Sequence, residues 1–170
     1  MNLQEKITDY KNFPKKGIIF RDFGPVLRDP STLSLIADEF ERYFHPKDVD
    51  VFAGIESRGF VLATLLSARY DKGMILIRKA DKLPGKTIKA TYKTEYSQDV
   101  IEIQKDAIKK GQRVVICDDL LATGGTAKAA GKLVEKAGGI ISGFAFIIEL
   151  TELGGIKGIS KYNCKSLVKY

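Results

Sequence analysis

The chain has 170 residues, 44% of them hydrophobic, and a formal charge of +7. That length buries one ordinary core and predicts a single domain over 1–170. No apolar run reaches membrane-spanning length, Met1 to Tyr10 is too polar for a secretory signal, and two Cys are too few for a disulfide scaffold. Both thiols, Cys117 and Cys164, are expected to be reduced, as in a cytosolic protein. The single His, His45, precedes Pro46 at an expected helix end, which suits a structural role and makes no zinc site with two distant Cys. The positive charge invites a nucleic-acid reading. Lys is nevertheless spread along the chain rather than gathered in one arm, and no nucleic-acid or membrane partner is expected.

The segment before Pro30 (1–29) is too short for a domain and reads as a flap over the ligand edge of a sheet. Asp29-Pro30-Ser31 opens a helix whose apolar face runs from Leu33 through Ile36, Ala37 and Phe40 to Phe44, and Pro46 ends it. Val49 to Ile55 predicts a strand, Phe60 to Tyr70 a helix and Met74 to Arg78 a second strand. A polar excursion over 79–96 follows, with Pro84-Gly85 at its tip, and is expected to be a flexible loop. Val100 to Ile103 alternates apolar with polar residues and predicts an antiparallel strand. Arg113 to Cys117 is a strand, Thr126 to Ala137 a helix closed by Gly138-Gly139, and Ile140 to Leu150 a long strand. A last strand is expected near Lys165 to Val168. Strands alternating with helices imply right-handed crossovers, hence an α/β fold with a central, mostly parallel sheet flanked by helices.

The most informative run is Val114 to Lys128, in which an apolar strand ends on Asp118 and Asp119 and a Gly-rich turn then opens a helix. Open α/β sheets bind ligands at that C-terminal edge. The turn, Ala122-Thr123-Gly124-Gly125-Thr126, offers backbone N–H groups, two hydroxyls and a helix N-terminus to an anion, most simply a phosphate. No Gly-Lys-Ser/Thr closes it, so it is not a P-loop. Carboxylates beside a phosphate cradle suit a ligand carrying both a phosphate and a diol, as a phosphorylated ribose does.

That run, Asp118 through Thr126, resembles the phosphoribosyl pyrophosphate (PRPP) loop of type I phosphoribosyltransferases, and its Leu-Leu-Ala-Thr-Gly-Gly-Thr form is similar to the adenine branch of that family. Further segments match in order and spacing, covering about Phe13 to Leu150. Glu56-Ser57-Arg58-Gly59 resembles the pyrophosphate loop, with Ser57 and Arg58 as its ligands and with Glu56 where the family commonly has Asp. Arg78-Lys79 and Lys82-Leu83-Pro84-Gly85 resemble the basic segment and flexible loop, implying that Arg78, Lys79 and Lys82 also bind pyrophosphate. Thr91 to Tyr96 resembles the segment in which Glu95 is the acid/base near the purine and Tyr96 packs at the loop's end. Gly17 to Asp22 is similar to the flap, or hood, that reads the base. Phe20 would stack on the purine opposite Leu150, and the backbone of Ile19 and Arg21 would match adenine's N1 and N6.

The resemblance therefore implies the type I phosphoribosyltransferase fold with a small hood, and transfer of the phosphoribosyl group of PRPP to adenine, yielding AMP and pyrophosphate. Ala122 to Thr126 would hold the 5′-phosphate, and Asp118 and Asp119 the ribose hydroxyls. Mg²⁺ would be held mainly by the substrate rather than by direct protein ligands, and the chain would act as a homodimer. Two alternatives share the fold: a phosphoribosyltransferase for xanthine or hypoxanthine/guanine, and a PRPP-sensing nucleic-acid regulator.

Overall fold

The computed structural model describes residues 3–93 and 98–170. An antiparallel hairpin, β1 (Thr8–Lys11) and β2 (Ile19–Asp22), opens the chain and forms a sheet of its own. A short turn, α1 (Gly24–Leu27), leads to α2 (Pro30–Tyr43). Asp29 caps α2 by accepting from the Ser31 N–H, and Pro30 sits in its first turn, where no N–H is needed. The helix stops one residue short of the predicted Phe44. His45 then accepts at Nδ1 from the Lys47 N–H, capping a short 3-10 turn, in keeping with a structural role.

The main sheet contains β3 (Val51–Ile55), β4 (Gly73–Lys79), β5 (Thr87–Lys93), β6 (Gln98–Gln104), β7 (Arg113–Leu121), β8 (Ile140–Glu149) and β9 (Cys164–Lys169). Its order is β5-β6-β4-β3-β7-β8-β9. Strands β4, β3, β7, β8 and β9 are parallel, and the β5–β6 hairpin adds an antiparallel edge. Two crossover helices, α3 (Gly59–Tyr70) and α4 (Gly125–Lys136), pack on opposite faces.

Alternation along the central strands distributes their side chains to both faces. Phe52, Val115 and Cys117 join Phe40, Leu62 and Leu66 beneath α2 and α3. Val51, Ala53, Ile55, Val114 and Ile116 join Ala130, Leu133 and Val134 beneath α4. Burying both faces explains why these strands read as continuous apolar runs.

Two expectations require correction. The polar excursion over 79–96 is not wholly loop, because Thr87–Lys93 form β5, paired residue for residue with β6 from Thr87↔Gln104 to Lys93↔Gln98. Within it Ile88, Ala90 and Tyr92 alternate with polar residues, a two-residue period that marks a strand and that the polar character of the whole segment hides; β6 supplies the backbone bonds. The strand predicted to end at Cys117 continues to Leu121, so Asp118 and Asp119 lie within β7 rather than beyond it. Pairing to β8 carries the strand on, through Asp118↔Phe146 and Leu120↔Ile148.

Candidate active site

The neighbour of β7 on its other side stops earlier. Strand β3 pairs with β7 only as far as Gly54↔Cys117. Past that point β7 keeps one neighbour, and a crevice opens where α3 begins. Gly59 makes this junction possible, since a Cβ there would lie 2.5 Å from the Cys117 carbonyl oxygen and 3.1 Å from the Asp118 Cα. The helix N-terminus is thereby set against the acid pair.

Asp118 and Asp119 are unequal. The Asp119 N–H donates to Asp118 Oδ1 at 2.9 Å. Asp119 is 5% exposed. Arg58 Nε stands 3.0 Å from its Oδ2, but at an angle that leaves this buried oxygen without a directed hydrogen bond among the described residues. Burial and the neighbouring Asp119 carboxylate push the Asp118 carboxyl well above the usual range, and the Arg58 charge only partly opposes them. The pair therefore presents acceptors whose protein partners do not saturate them, an arrangement suited to sugar hydroxyls.

Beyond Leu121, residues 122–124 turn into α4. Gly124 adopts φ +80°, a left-handed conformation that disfavours a side chain, and it packs against Gly155. No side chain caps α4, so its first N–H groups face outward unclaimed by a cap. A cavity of about 80 Å³ lies here, lined by Asp118, Phe146 and residues 120–127. Ala122, Thr123, Gly124, Gly125 and Thr126 thus form one concave wall with the helix dipole behind it.

Glu56 collects the basic residues. It accepts from Lys82 Nζ at 2.8 Å, the Lys79 N–H at 2.9 Å and Arg78 Nε at 3.2 Å. Partial burial alone would raise its carboxyl, but Lys82, the Lys79 amide and Arg78 outweigh that and hold it at about 2. Arg78 also donates to the Lys82 carbonyl at 3.1 Å. Arg78, Lys79 and Lys82 therefore meet beside Ser57 and Arg58, both of which are exposed.

On the hood, Phe20 pairs across the hairpin with Tyr10, and Phe13 packs edge-on to it at 5.3 Å. The Arg58 guanidinium lies 5.2 Å from the Phe20 ring centre. Arg58 therefore touches the hood on one side and Asp119 on the other. Leu150 lies just past β8, its N–H donating to the Leu121 carbonyl at 2.9 Å. Glu95 and Tyr96 fall outside the described residues.

Sequence reasoning missed Glu102. It lies in the strand predicted from Val100 to Ile103, where nothing in the pattern assigns it a role, and it is 1% exposed. It accepts from the N–H groups of Lys82 and Leu83 at 3.1 and 3.2 Å and from the Thr87 hydroxyl at 3.0 Å, with Lys89 Nζ 3.6 Å away. Burial favours its neutral form, but the Thr87 hydroxyl, these two amides and Lys89 hold the carboxyl below its usual value. Only an acid amid isoleucines hints at this; the segment that covers it is distant in sequence. Neither thiol belongs to the site. Cys117 is fully buried, and burial pushes the Cys164 thiol up to about 11.

Comparison with known proteins agrees with this geometry. Residues 34–167 match the phosphoribosyl transferase domain. The chain is 72% identical to the adenine phosphoribosyltransferase of Nitrosopumilus maritimus over 170 residues, covering 100% of both. The adenine phosphoribosyltransferase of Thermoanaerobacter pseudethanolicus superposes with a TM-score of 0.94 at 42% identity, over 99% of this chain and 98% of that one. The Saccharomyces cerevisiae enzyme, solved with an imino-altritol bisphosphate and adenine, gives a TM-score of 0.92 at 40% identity, over 97% of this chain and 96% of that one. Its fold is the mostly parallel α/β fold of these enzymes, and the chain belongs to the adenine phosphoribosyltransferase family.

Proposed function

We propose that this chain transfers the phosphoribosyl group of PRPP to adenine, giving AMP and pyrophosphate. The observation that carries the assignment is Arg58, which joins the unsaturated acid Asp119 to the aromatic hood residue Phe20 across the open end of β7. A base lying against Phe20 and a ribose held by Asp118 and Asp119 then meet at one edge of the sheet.

In the reaction, adenine N9 attacks ribose C1′ as the C1′–O bond to pyrophosphate breaks, with inversion at carbon. The 5′-phosphate rests on the wall from Ala122 to Thr126, and the 2′- and 3′-hydroxyls donate to Asp118 and Asp119. Both reactants are thereby held in register, which removes part of the barrier as prepaid translational and rotational entropy. Pyrophosphate gains charge as it leaves, and Ser57, Arg58, Arg78, Lys79 and Lys82 meet that charge. Glu95, the acid/base that the family resemblance implies, takes the proton that N9 loses. Backbone groups of Ile19 and Arg21 read the adenine edge, with Leu150 on the face opposite Phe20. A 6-oxopurine reverses that donor and acceptor pattern.

Mg²⁺ supplies charge neutralisation on the pyrophosphate oxygens when bound. The residues present fit an ion carried by the substrate. Asp119 stands beside the Arg58 cation, and the acid pair forms no three-acid cage. A homodimer would cover Val61 on α3 and Leu76 on β4, both exposed in the single chain. Two thiols held as free cysteines suit a cytoplasmic setting. No helix among the described residues is long and apolar enough to cross a membrane.

The deciding assay follows Mg²⁺- and PRPP-dependent conversion of adenine to AMP, with guanine, hypoxanthine and xanthine run beside it. Adenine is expected to be used far better than the others. A preference for xanthine or hypoxanthine, or no pyrophosphate release at all, would overturn the assignment.

A further inference from the structure

The hood and the main sheet are separate sheets, with no strand pairing between them among the described residues. On the adenine assignment, the base lies between Phe20 of one sheet and Leu150 at the end of the other. Backbone hydrogen bonds cannot set the spacing between these walls, so side chains must. We propose that Tyr170 is a positioning residue for adenine, holding the hood at its distance from Leu150 through the Arg21 side chain.

Tyr170 is tied to the segment that carries Leu150. Its N–H donates to the Glu149 carbonyl at 2.9 Å, and its own carbonyl accepts from the Thr151 N–H at 2.8 Å and the Thr151 hydroxyl at 2.6 Å. These bonds grip the chain on both sides of Leu150. The Tyr170 ring, half-buried against the core beneath α2, carries the Arg21 guanidinium 3.9 Å above its centre. On the hood side, Arg21 follows Phe20 directly in β2 and is ion-paired with Asp9, its register partner on β1. One aromatic ring thus links the strand that presents Phe20 to the turn that presents Leu150. A planar cation on an aromatic face favours one separation, whereas an aliphatic contact tolerates sliding.

The test compares Tyr170→Phe, which keeps the ring, with Tyr170→Leu, which keeps bulk but not the aromatic face. Wild-type AMP formation from adenine and PRPP is measured first, and its absence would remove the functional assignment on which this inference rests. Given that activity, Tyr170→Phe is expected to keep KM for adenine within about twofold, and Tyr170→Leu to raise it about fivefold, the scale of one cation–π contact. KM for PRPP should stay unchanged in both, and discrimination against hypoxanthine should fall only in the leucine variant.

Arg21→Met approaches from the hood side and decides the matter even if Tyr170→Leu does not fold. It should raise KM for adenine similarly, and Asp9→Asn, which removes the ion pair but spares the ring contact, should not. An unchanged KM for adenine in Tyr170→Leu, an equal rise in KM for PRPP, or a Tyr170→Phe variant as impaired as the leucine one would each overturn the proposal. An unchanged KM for adenine in Arg21→Met would do the same.

Discussion

Four carboxylates stand along the C-terminal edge of the sheet in two pairs with opposite surroundings. Asp118 and Asp119 face each other with one guanidinium between them and the hood, so Asp118 is pushed up and a buried oxygen of Asp119 lacks a directed bond among the described residues. Glu56 and Glu102 are surrounded by Lys and Arg side chains and by backbone N–H groups, and both are held down. Charge type and sheet position are alike, so the difference lies in how far the protein has already used each acid. The aspartates keep acceptors for a ligand. The glutamates are engaged in holding the basic segment, one by its side chains and the other by its backbone.

If the aspartates serve the substrate, removing both should cost the most. Asp118→Asn with Asp119→Asn is expected to lower kcat/KM at least about 10³-fold, the scale of lost positioning at a reacting centre. The same double variant should unfold no earlier than wild type at neutral pH. A carboxyl whose folded pKa is raised favours the fold below that pKa and costs stability as pH rises through it. Normal turnover would dissolve the contrast between the pairs.

Lys82→Met removes the cation that Glu56 holds nearest. About a 10²-fold fall in kcat/KM for PRPP is expected, in line with losing one preorganised donor to developing charge. Steady-state kinetics with varied PRPP would read it, and an effect confined to adenine would place Lys82 elsewhere.

Glu102→Gln leaves the active groups in place but neutralises a buried acceptor of two amides and a hydroxyl. A loss of roughly 2 kcal/mol in unfolding free energy is expected, the usual penalty for weakening buried charge-assisted hydrogen bonds. Urea titration of wild type and variant measures this, and equal midpoints would show that the loop base needs no charge there.

The smallest effect is a slope. Glu56 is lowered from 4.5 to about 2, so between these values the unfolded chain binds more protons than the folded one. Its stabilising contribution is complete above that window and is lost as pH falls through it. Glu56→Gln should therefore flatten the decline of thermal stability from about pH 4.5 to about pH 2 relative to wild type. Parallel curves would mean that Arg78 and Lys82 do not depend on this carboxylate.

Much of the site is legible in the amino-acid sequence. The run from Val114 to Lys128 announces its strand, turn and helix through local chemistry, though not the strand's extension to Leu121: apolar continuity, glycines where a side chain would strain the turn, and hydroxyls at a helix start. The resemblance already brings Ser57-Arg58 to the same site, but the direct contact of Arg58 with Asp119 is not legible there. It depends on β3 stopping at Ile55 while β7 continues to Leu121, an inequality visible only once the two are paired. Glu102 is missed for a related reason. Alternation reports which side of its own strand a residue occupies, whereas the partners that cover Glu102, Lys82, Leu83 and Thr87, lie 20, 19 and 15 residues away in the chain.

By itself, the sequence determined the fold class, the succession of the central strands and helices along the chain, and the family, because each rests on short-range periodicity, turn chemistry and contiguous motifs. Tertiary structure alone decided that Glu56 gathers Arg78, Lys79 and Lys82, and that Arg58 and Tyr170 connect the hood to the main sheet. Those outcomes depend on which distant backbone supplies a donor or an aromatic face. No local pattern encodes that choice, since the contact forms only when the whole sheet brings its two sides together.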